Sequence, residues 1–433
     1  METFLLVSNM KNIAVILAAG KGERFQTTIP KQFSKLNGIP VVIYPLEEFI
    51  SSGLFYKILI VTNNLEFKSI FDKYDSNLVE VIPGGKVRHD SVYTAIQYAK
   101  QYSPDTITFH EAVRPLIKGG DLAPYIDLLS LYDCVVTSET ITDALYGGLR
   151  EEFKLIQAPE SFKFSKLYEE FDPTHVTTAI YEQLKKPNIY FNTLSHPNYK
   201  ITYFYDLFML EHLIKFSEYN KKSSISLQGR TVLLLGATGG IGGAINELLG
   251  KYVGVKVYSP PRKELNVSDN FLDSLITYCP DVDIIVNCAG TSYGDNESLL
   301  SHYEEIMNTN FRANVLLINY AKYLQEENHK PINILMISSS SATKGRPGFG
   351  IYSASKSAIH SLVESQASTL AKQQIYLNCI CPERVDTKLN SKIHGPANMY
   401  EVLTVEEVAK VILNYLSTDE YGKIVYLRKG MRL

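Results

Sequence analysis

Short apolar runs rich in β-branched residues recur along the chain, and segments of helical length separate them. In the first half these runs are NIAVILAAG, KILIVTN, VEVIPGG, TITFHEA and DCVVTSE. Strand-like runs that alternate with helical segments are typical of parallel sheets covered by helices. The first half is therefore predicted to be an α/β domain.

The alternation stops between residues 217 and 229, where SEYNKKSSISLQG has no apolar period and is the best candidate for a linker. The pattern then restarts with six strand-like runs, TVLLLGA, GVKVYS, VDIIVNCAG, INILMISS, IYLNCICP and IVYLRK. With 433 residues, 45% of them hydrophobic, the chain can form two large cores. We predict two doubly wound α/β domains, residues 1–220 and 221–433.

Composition and charge narrow the function classes. The 43 Lys and Arg residues nearly balance the 46 Asp and Glu residues, which excludes a broad nucleic-acid-binding face. The five cysteines lack CxxC spacing, so they indicate reduced thiols rather than a zinc site. The opening METFLLVSNMK is too short in apolar residues for a signal sequence or a membrane span. We expect a cytoplasmic protein with small-molecule partners, no nucleic acid and no membrane.

The stretch GATGGIG follows an apolar run and precedes a helical pattern, with glycines at 236, 240 and 242. Backbone N–H groups and the helix dipole at such a turn favour a dinucleotide pyrophosphate, although a plain tight turn is the alternative. Farther along, Tyr352 and Lys356 are one helical turn apart in YSASK. The ammonium is expected to lower the pKa of the phenol, and Ser339 to share a substrate oxygen with it. Asn310 in MNTNF is a fourth polar candidate.

Together, GATGGIG, NCAG, NTNF, ISS and YSASK resemble the short-chain dehydrogenase/reductase family over residues 229–433. The resemblance implies an NAD(P)-binding Rossmann domain in which Tyr352 donates a proton, Lys356 activates it and contacts the ribose, Ser339 polarises the carbonyl, and Asn310 anchors the proton relay. The implied coenzyme contacts are Gly236, Gly240, Ile241, Gly242, Asn287, Ala289, Gly290, Tyr352 and Lys356.

This part of the chain departs from that family at three places. Asn266 replaces an acid near the adenine, and Glu383 replaces a glycine after Pro382. The acid that usually binds the ribose diol is missing, and VKVYSPPRK offers Ser259 and Arg262 instead. A cation there favours the extra phosphate of NADPH over NADH, and a surface arginine is the alternative.

The earlier glycine loop, LAAGKGERF, lacks both the Walker ending and the dinucleotide glycine order. It is followed closely by PKQF, so Lys21, Arg24 and Lys31 fall within eleven positions. These cations and the loop N–H groups can surround a triphosphate, whereas a solvated charged face is the alternative. Farther on, PGGKVRHDSV, HEAVRP and NYKIT add glycine turns, cations and a carboxylate at a strand end.

This series resembles the cytidylyltransferases of the methylerythritol-phosphate and ribitol-phosphate type over residues 12–216, with a nucleotidyltransferase-like, Rossmann-type fold. The resemblance implies that Arg24, Lys31 and Lys200 contact the CTP phosphates and that Glu111 holds Mg²⁺, in place of the family's aspartate. The remaining implied contacts with CTP are Ala18, Ala19, Gly20, Gly22, Gly84, Gly85, Arg88 and Ser91. The acceptor region reads VTTAIYEQ, with Thr177 and Thr178, which suggests an altered acceptor.

A reductase and a transferase on one chain are explained most simply if one makes what the other consumes. The resemblances then imply reduction of D-ribulose 5-phosphate with NADPH to ribitol 5-phosphate, followed by CMP transfer from CTP to give CDP-ribitol for a capsule or teichoic-acid-like polymer. Arg346, Arg384 or Lys388 is a candidate for binding the ketose phosphate, against the alternative of surface cations. Short-chain reductases generally pair through long helices, so the resemblance also implies a homo-oligomer.

Two other functions fit the same sequence. In one, the transferase uses methylerythritol phosphate and the reductase has an unrelated substrate, which the altered stretch around Thr177 disfavours. In the other, the first domain binds nucleotide without catalysis and regulates the reductase, an interpretation kept open by Glu111 in place of aspartate.

Overall fold

The computed structural model describes residues 10–143, 149–215, 226–261, 271–295, 298–394 and 402–430. The chain divides into two compact units, Met1–Ile214 and Lys215–Leu433. Most of the predicted linker at 217–229 lies outside the described residues. Within the described part, no helix is both long enough and apolar enough to cross a lipid bilayer.

The amino-terminal unit contains nine described strands and five described α-helices. The strands are β1 (Asn12–Leu17), β2 (Lys35–Leu36), β3 (Ile39–Pro40), β4 (Lys57–Val61), β5 (Val79–Ile82), β6 (Thr106–Glu111), β7 (Cys134–Thr140), β8 (Lys154–Lys163) and β9 (Ile189–Asn192). The helices are α1 (Ile43–Ser51), α2 (Arg88–Ala99), α3 (Ala123–Asp127), α4 (Phe164–Glu170) and α5 (Tyr205–Lys215).

Seven of these strands form one sheet in the order β5-β4-β1-β6-β8-β7-β9. The five predicted runs are β1, β4, β5, β6 and β7, and all point the same way because β8 alone is antiparallel to its neighbours β6 and β7. The predicted α/β fold is confirmed for this unit, and its sheet is parallel except at β8. The strand order reverses between β1 and β6, and ligands of open α/β sheets bind at such a point.

Alternate residues of β1 face opposite layers, as a strand buried on both sides requires. Ile13 and Val15 belong to the apolar layer that also contains side chains of α2, β6 and β8. Ala14 and Ile16 pack on the other side, against α1. Both layers are buried, so the sheet is a rigid base for the loops at its carboxyl edge.

The carboxyl-terminal unit contains six described strands and seven described α-helices. The strands are β10 (Thr231–Leu235), β11 (Lys256–Tyr258), β12 (Ile284–Asn287), β13 (Ile332–Ile337), β14 (Ile375–Pro382) and β15 (Ile424–Leu427). The helices are α6 (Gly240–Leu249), α7 (Phe271–Tyr278), α8 (Tyr303–Met307), α9 (Ala313–Asn328), α10 (Gly350–Ala371), α11 (Lys388–His394) and α12 (Val405–Leu416).

The six strands form a parallel sheet in the order β11-β10-β12-β13-β14-β15, and each corresponds to one predicted run. Val232 and Leu234 of β10 face one apolar layer, and Leu233 and Leu235 face the other. The predicted doubly wound α/β fold is confirmed for this unit. Its strand order reverses between β10 and β12.

At this reversal, Gly236 brings the backbone after β10 against the backbone after β12. Gly236 has a φ of +77°, and a Cβ built there would lie 2.7 Å from the Ala289 nitrogen. Both the left-handed conformation and the close approach require glycine. The turn therefore depends on a residue without a side chain.

Gly236→Ala is expected to lower the free energy of unfolding of this unit by about 1–3 kcal/mol from overpacking, in addition to about 1–2 kcal/mol from the left-handed backbone. Gly348→Ala is the matched control, since Gly348 has a φ of +76° but no heavy atom within 4 Å of its built Cβ. Urea unfolding followed by circular dichroism measures both. Equal losses in the two variants would show that the contact with Ala289 is unimportant.

Candidate functional site

The amino-terminal unit has a cleft of about 300 Å³ at the carboxyl ends of β1 and β6. Parallel strands bring the loops that follow Leu17 and Glu111 to the same edge, and these two residues are register partners. The cleft is lined by Leu17, Ala18, Ala19, Gly20, Lys21, Lys31, Gln32, Lys86, Val87, Arg88, Ser91, Glu111, Val113 and Lys200.

Three cations surround the carboxylate of Glu111. Its Oε1 accepts a hydrogen bond from Lys200 Nζ at 2.7 Å, and Oε2 accepts one from Arg114 Nε at 2.9 Å. Arg88 Nε lies 3.7 Å from Oε1. Although burial raises the pKa of Glu111, the charges of Lys200, Arg114 and Arg88 outweigh it and hold the pKa at about 2. The side chain is therefore ionised throughout the neutral range.

This arrangement does not fit the predicted role of Glu111 as a magnesium ligand. Both of its oxygens already bind cationic side chains. Among the described residues, no group of three or more His, Cys, Asp or Glu side chains could hold a metal ion. Glu111 instead orients Lys200 and Arg88, two of the cations at the cleft.

Lys31 reaches the same place from the other loop. Its Nζ donates to the Ile201 carbonyl at 2.8 Å, and the Ile201 N–H donates to the Val113 carbonyl at 2.9 Å. Burial, and then the neighbouring charge of Lys200, lowers the pKa of Lys31 to about 8. The cleft therefore concentrates positive charge that is only partly neutralised, as a polyanionic ligand requires.

The other predicted CTP contacts divide into two groups. Ala18, Ala19, Gly20, Arg88 and Ser91 line the cleft. Gly22, Gly84 and Gly85 do not line it. A Cβ on Gly84 would meet the Ala19 Cβ at 2.5 Å, and one on Gly22 would lie 3.6 Å from Lys31 Cγ. Arg24 does not line the cleft, and its guanidinium lies 5.9 Å from the centre of the Tyr203 ring.

Sequence reasoning did not assign roles to Gln32 or Arg114. Gln32 Nε2 donates to the carbonyls of Ala18 at 2.7 Å and Gly20 at 3.1 Å, which shapes the glycine loop. Arg114 Nη1 donates to the Asn198 carbonyl at 2.6 Å and so ties the loop after β6 to the segment that carries Lys200. Both side chains lie inside the quoted motifs PKQF and HEAVRP, which were the available signal.

The carboxyl-terminal unit has a cavity of about 440 Å³ above β13 and β14. It is lined by Ile241, Cys288, Gly290, Ile337, Ser338, Ser339, Ser340, Ser341, Arg346, Phe349, Tyr352, Lys356, Pro382, Glu383, Arg384, Val385, Thr387, Leu389 and Asn390. The segment that follows β13 contributes the serines, and α10 contributes Tyr352 and Lys356 one turn apart. The predicted trio of Ser339, Tyr352 and Lys356 therefore faces one cavity.

Burial raises the pKa of the Tyr352 phenol, and a hydrogen bond with the Ser339 hydroxyl opposes this rise. The predicted lowering by Lys356 is wrong for this arrangement. Lys356 Nζ lies 5.9 Å from the centre of the Tyr352 ring and donates to the Ile337 carbonyl at 2.9 Å. Burial also lowers the pKa of Lys356 to about 8. Desolvation is the largest cause of the shift at the phenol.

Asn310 lies in a π-helical turn, Asn308–Arg312, and is fully buried. Its Oδ1 accepts a hydrogen bond from the Thr291 N–H at 2.9 Å. Its Nδ2 donates to the Thr291 carbonyl at 2.9 Å and to the Ser355 hydroxyl at 3.0 Å. A Cβ on Gly290 would lie 3.5 Å from both Asn310 Oδ1 and Lys356 Nζ. Asn310 and Lys356 therefore both border Gly290, a position suited to members of a proton relay.

The glycine turn fits a dinucleotide pyrophosphate. A Cβ on Gly242 would come within 2.2 Å of the Gly236 carbonyl oxygen, so this cradle exists only without side chains. Gly240 packs against Thr387, and Ile241 lines the cavity. Asn287 Oδ1 accepts from the Ala289 N–H at 3.0 Å and shapes the facing loop.

The residues predicted to discriminate between coenzymes are only partly described. Arg262 and Asn266 lie outside the described residues. The buried Ser259 hydroxyl has no hydrogen-bond partner within the described ranges. Of the three cations proposed for the ketose phosphate, Arg346 and Arg384 line the cavity and Lys388 does not.

Comparison with known proteins matches each unit to a family. Residues 12–179 match the family of 2-C-methyl-D-erythritol 4-phosphate cytidylyltransferase, and residues 263–397 match short chain dehydrogenase.

Relatives extend these matches. The chain is 27% identical to the bifunctional ribulose 5-phosphate reductase/CDP-ribitol pyrophosphorylase Bcs1 of Haemophilus influenzae, over 96% of this chain and 95% of that protein. It is 32% identical to the 2-C-methyl-D-erythritol 4-phosphate cytidylyltransferase of Thermosipho melanesiensis, over 37% of this chain and 76% of that protein. The solved 4-diphosphocytidyl-2C-methyl-D-erythritol synthase of Anaerococcus prevotii is 18% identical over 48% of this chain and 99% of its own, with a TM-score of 0.42.

Proposed function

Because the chain belongs, through its amino-terminal unit, to the 2-C-methyl-D-erythritol 4-phosphate cytidylyltransferase family and continues into a short-chain dehydrogenase domain, we propose that it is a bifunctional enzyme. One unit reduces D-ribulose 5-phosphate to D-ribitol 5-phosphate with NADPH. The other transfers CMP from CTP to that product and releases pyrophosphate, giving CDP-ribitol. The observation that carries the proposal is the similarity to a bifunctional relative over 96% of the chain.

The reductase chemistry uses the residues that face the larger cavity. NADPH supplies a hydride to the carbonyl carbon of the ketose when it is bound at the glycine turn. Ser339 donates a hydrogen bond to the carbonyl oxygen, and the Tyr352 hydroxyl gives that oxygen a proton, so the product is the alcohol. Lys356, one helical turn from Tyr352, contacts the ribose of the bound coenzyme, and Asn310 orders the path by which the proton is replaced.

The transferase chemistry uses the cations of the smaller cleft. A phosphate oxygen of ribitol 5-phosphate attacks the α-phosphorus of CTP, the bond to the β-phosphate oxygen breaks, and pyrophosphate leaves. Lys31 and Lys200 stabilise the charge that develops on the phosphate oxygens. Glu111 keeps Lys200 in place. Magnesium bound to the CTP phosphates would neutralise part of their charge.

A coupled assay tests the proposal. The protein is incubated with ribulose 5-phosphate, NADPH, CTP and magnesium, and NADPH oxidation is followed together with CDP-pentitol by mass spectrometry. We expect CDP-ribitol to form only when all components are present. Preferential use of methylerythritol phosphate over ribitol 5-phosphate, or a shift in Tm with CTP without any CDP-sugar, would contradict the proposal.

Arg346 is proposed to bind the phosphate of the ketose. Its Nη2 donates to the Ser340 hydroxyl at 3.2 Å, which holds the guanidinium at the cavity. Arg346→Ala is expected to raise the KM for ribulose 5-phosphate at least about tenfold, because one charge-assisted contact is worth about 1.5–3 kcal/mol. Initial-rate kinetics measure it, with the KM for NADPH as the control. An unchanged KM for the ketose phosphate would exclude Arg346.

We further propose that the protein acts in the cytoplasm as a homo-oligomer and that CDP-ribitol serves a capsule or a teichoic-acid-like polymer. The balanced charge and the scattered cysteines support a cytoplasmic location. All five cysteines are free thiols, and four of them are buried. Light scattering of the purified protein tests the oligomeric state.

A further inference from the structure

Glu160 is a buried carboxylate beside the nucleotide cleft to which the proposed mechanism assigns no role. It lies on β8 next to a bulge: Val136 of β7 pairs with Glu160, the next residue pairs with Gln157, and two residues of β8 have no partner. Bulges near active sites redirect side chains. On the other side, Glu160 pairs with Phe109 of β6. Its side chain therefore points to the same face as that of Glu111, two residues farther along β6.

The carboxylate holds a short segment of the chain by its backbone. Oε2 accepts hydrogen bonds from the N–H groups of Ile180 at 2.9 Å and Tyr181 at 3.2 Å. Oε1 lies 3.6 Å from Arg88 Nη2, and the side chain of Glu160 is only 3% exposed. A buried carboxylate is tolerated only with such partners, so these contacts determine where the segment lies.

Arg88 joins Glu160 to the rest of the cleft. Its Nη1 donates to the Thr178 carbonyl at 3.3 Å, and its Nε lies 3.7 Å from Glu111 Oε1. The Arg88 side chain is still 38% exposed and lines the cleft. Glu160 therefore holds residues 178–181 next to Arg88, a cation that lines the cleft.

We propose that Glu160 is a positioning residue for the acceptor: it holds residues 178–181 against Arg88 and so forms the wall that receives the pentitol phosphate. The inference rests on the proposed transferase function. Arg88 then belongs to the acceptor wall instead of the CTP contacts that the family resemblance implied. CTP binding is retained because Lys31 and Lys200, which face the CTP phosphates, are held by Ile201 and Glu111.

Glu160→Gln tests this role, because the amide keeps an oxygen for the backbone N–H groups but loses the charge that pairs with Arg88. We expect the KM for ribitol 5-phosphate to rise about tenfold, with the KM for CTP within about twofold of the unmodified protein. Glu160→Asp, which keeps the charge, is expected to recover part of the loss. Ketose reduction by the same proteins reports on folding.

Glu182→Gln is the matched control. Glu182 Oε2 accepts from the N–H groups of Thr178 at 2.9 Å and Ala179 at 3.1 Å, so it holds the same segment without an ion pair to Arg88. We expect its KM for ribitol 5-phosphate to change less than about threefold. Equal effects of the two substitutions, or an unchanged KM in Glu160→Gln, would overturn the inference alone. A lack of CDP-ribitol with the unmodified protein would instead overturn the proposed function and the inference with it.

The pH dependence of kcat/KM for ribitol 5-phosphate tests the charge of Glu160 directly. Loosening of residues 178–181 alone would not change this dependence. Burial raises the pKa of Glu160 to about 7 against the lowering effects of Arg88 and the two N–H groups, and the charge of Glu111 adds to the rise. Cys134 on β7 and Tyr181 are the other titratable groups that face it. The ionised form binds Arg88, so kcat/KM for ribitol 5-phosphate is expected to fall as the pH drops through about 7. Glu160→Gln should lack this inflection, and its persistence would contradict the assignment.

Discussion

Tyr352→Phe is expected to lower kcat for reduction of ribulose 5-phosphate about a thousandfold, since it removes the hydroxyl that gives a proton to the ketose oxygen in the proposed mechanism. General acid catalysis by a positioned side chain contributes about 10²–10⁴ in rate. Phenylalanine keeps the ring that packs in the cavity beside Ser339 and Lys356. The loss is therefore expected in kcat, with little change in the KM for NADPH.

NADPH oxidation at 340 nm measures this effect. CMP transfer by the same protein is the internal control, because Lys31 and Lys200 belong to the other compact unit and should be unaffected. Tyr323→Phe is the matched control within the reductase unit, since Tyr323 is an exposed tyrosine on α9 that does not line the cavity. Retention of more than a tenth of the original kcat in Tyr352→Phe would assign the proton to another group.

Lys31→Met is expected to lower kcat/KM for CMP transfer by about 10²–10³. Removal of one preorganised donor from a site of developing negative charge has an effect of this size. Lys31 is held by the Ile201 carbonyl at 2.8 Å, so the ammonium is in place before the substrate arrives. Methionine retains the length of the side chain but has no charge.

Pyrophosphate release measures the loss. Lys35→Met is the matched control, because Lys35 is an exposed lysine on β2 outside the cleft. Ketose reduction should remain normal in both proteins. Equal transfer rates in Lys31→Met and the unmodified protein would remove Lys31 from the mechanism.

A mixture of Lys31→Met and Tyr352→Phe, each of which lacks one of the two activities, tests both predictions together. Lys31→Met retains the reductase and Tyr352→Phe retains the transferase, so an equimolar mixture is expected to convert ribulose 5-phosphate into CDP-ribitol. Failure of the mixture, with each separate activity intact, would show that the intermediate does not pass through solution.

Much of the fold was predictable because its strands are local apolar runs. All six strands of the second unit and five strands of the first unit's sheet match runs visible in the sequence. The direction of β8 was not predictable, since an antiparallel and a parallel strand can have the same composition. Strand pairing is decided by residues far apart, such as Thr106 and Lys163.

The candidate sites were predictable to the extent that their motifs are contiguous. Spacing of one helical turn placed Tyr352 and Lys356 on the same side of α10, facing one cavity. Spacing could not reveal how far each group is removed from water, so the direction of the pKa shift at Tyr352 was predicted wrongly. Glu160 was missed because nothing in its neighbouring residues marks a carboxylate for burial.

By itself, the sequence determined which segments are buried strands, where the two glycine turns lie, and in which order the polar groups follow them. These properties depend on neighbours a few positions apart. Only the tertiary structure decided that Lys200 would meet Glu111, 89 positions away, and that one arginine would stand between Glu111 and Glu160. Charge and burial act through space, and the distances that govern them exist only after the strands have been assembled into sheets.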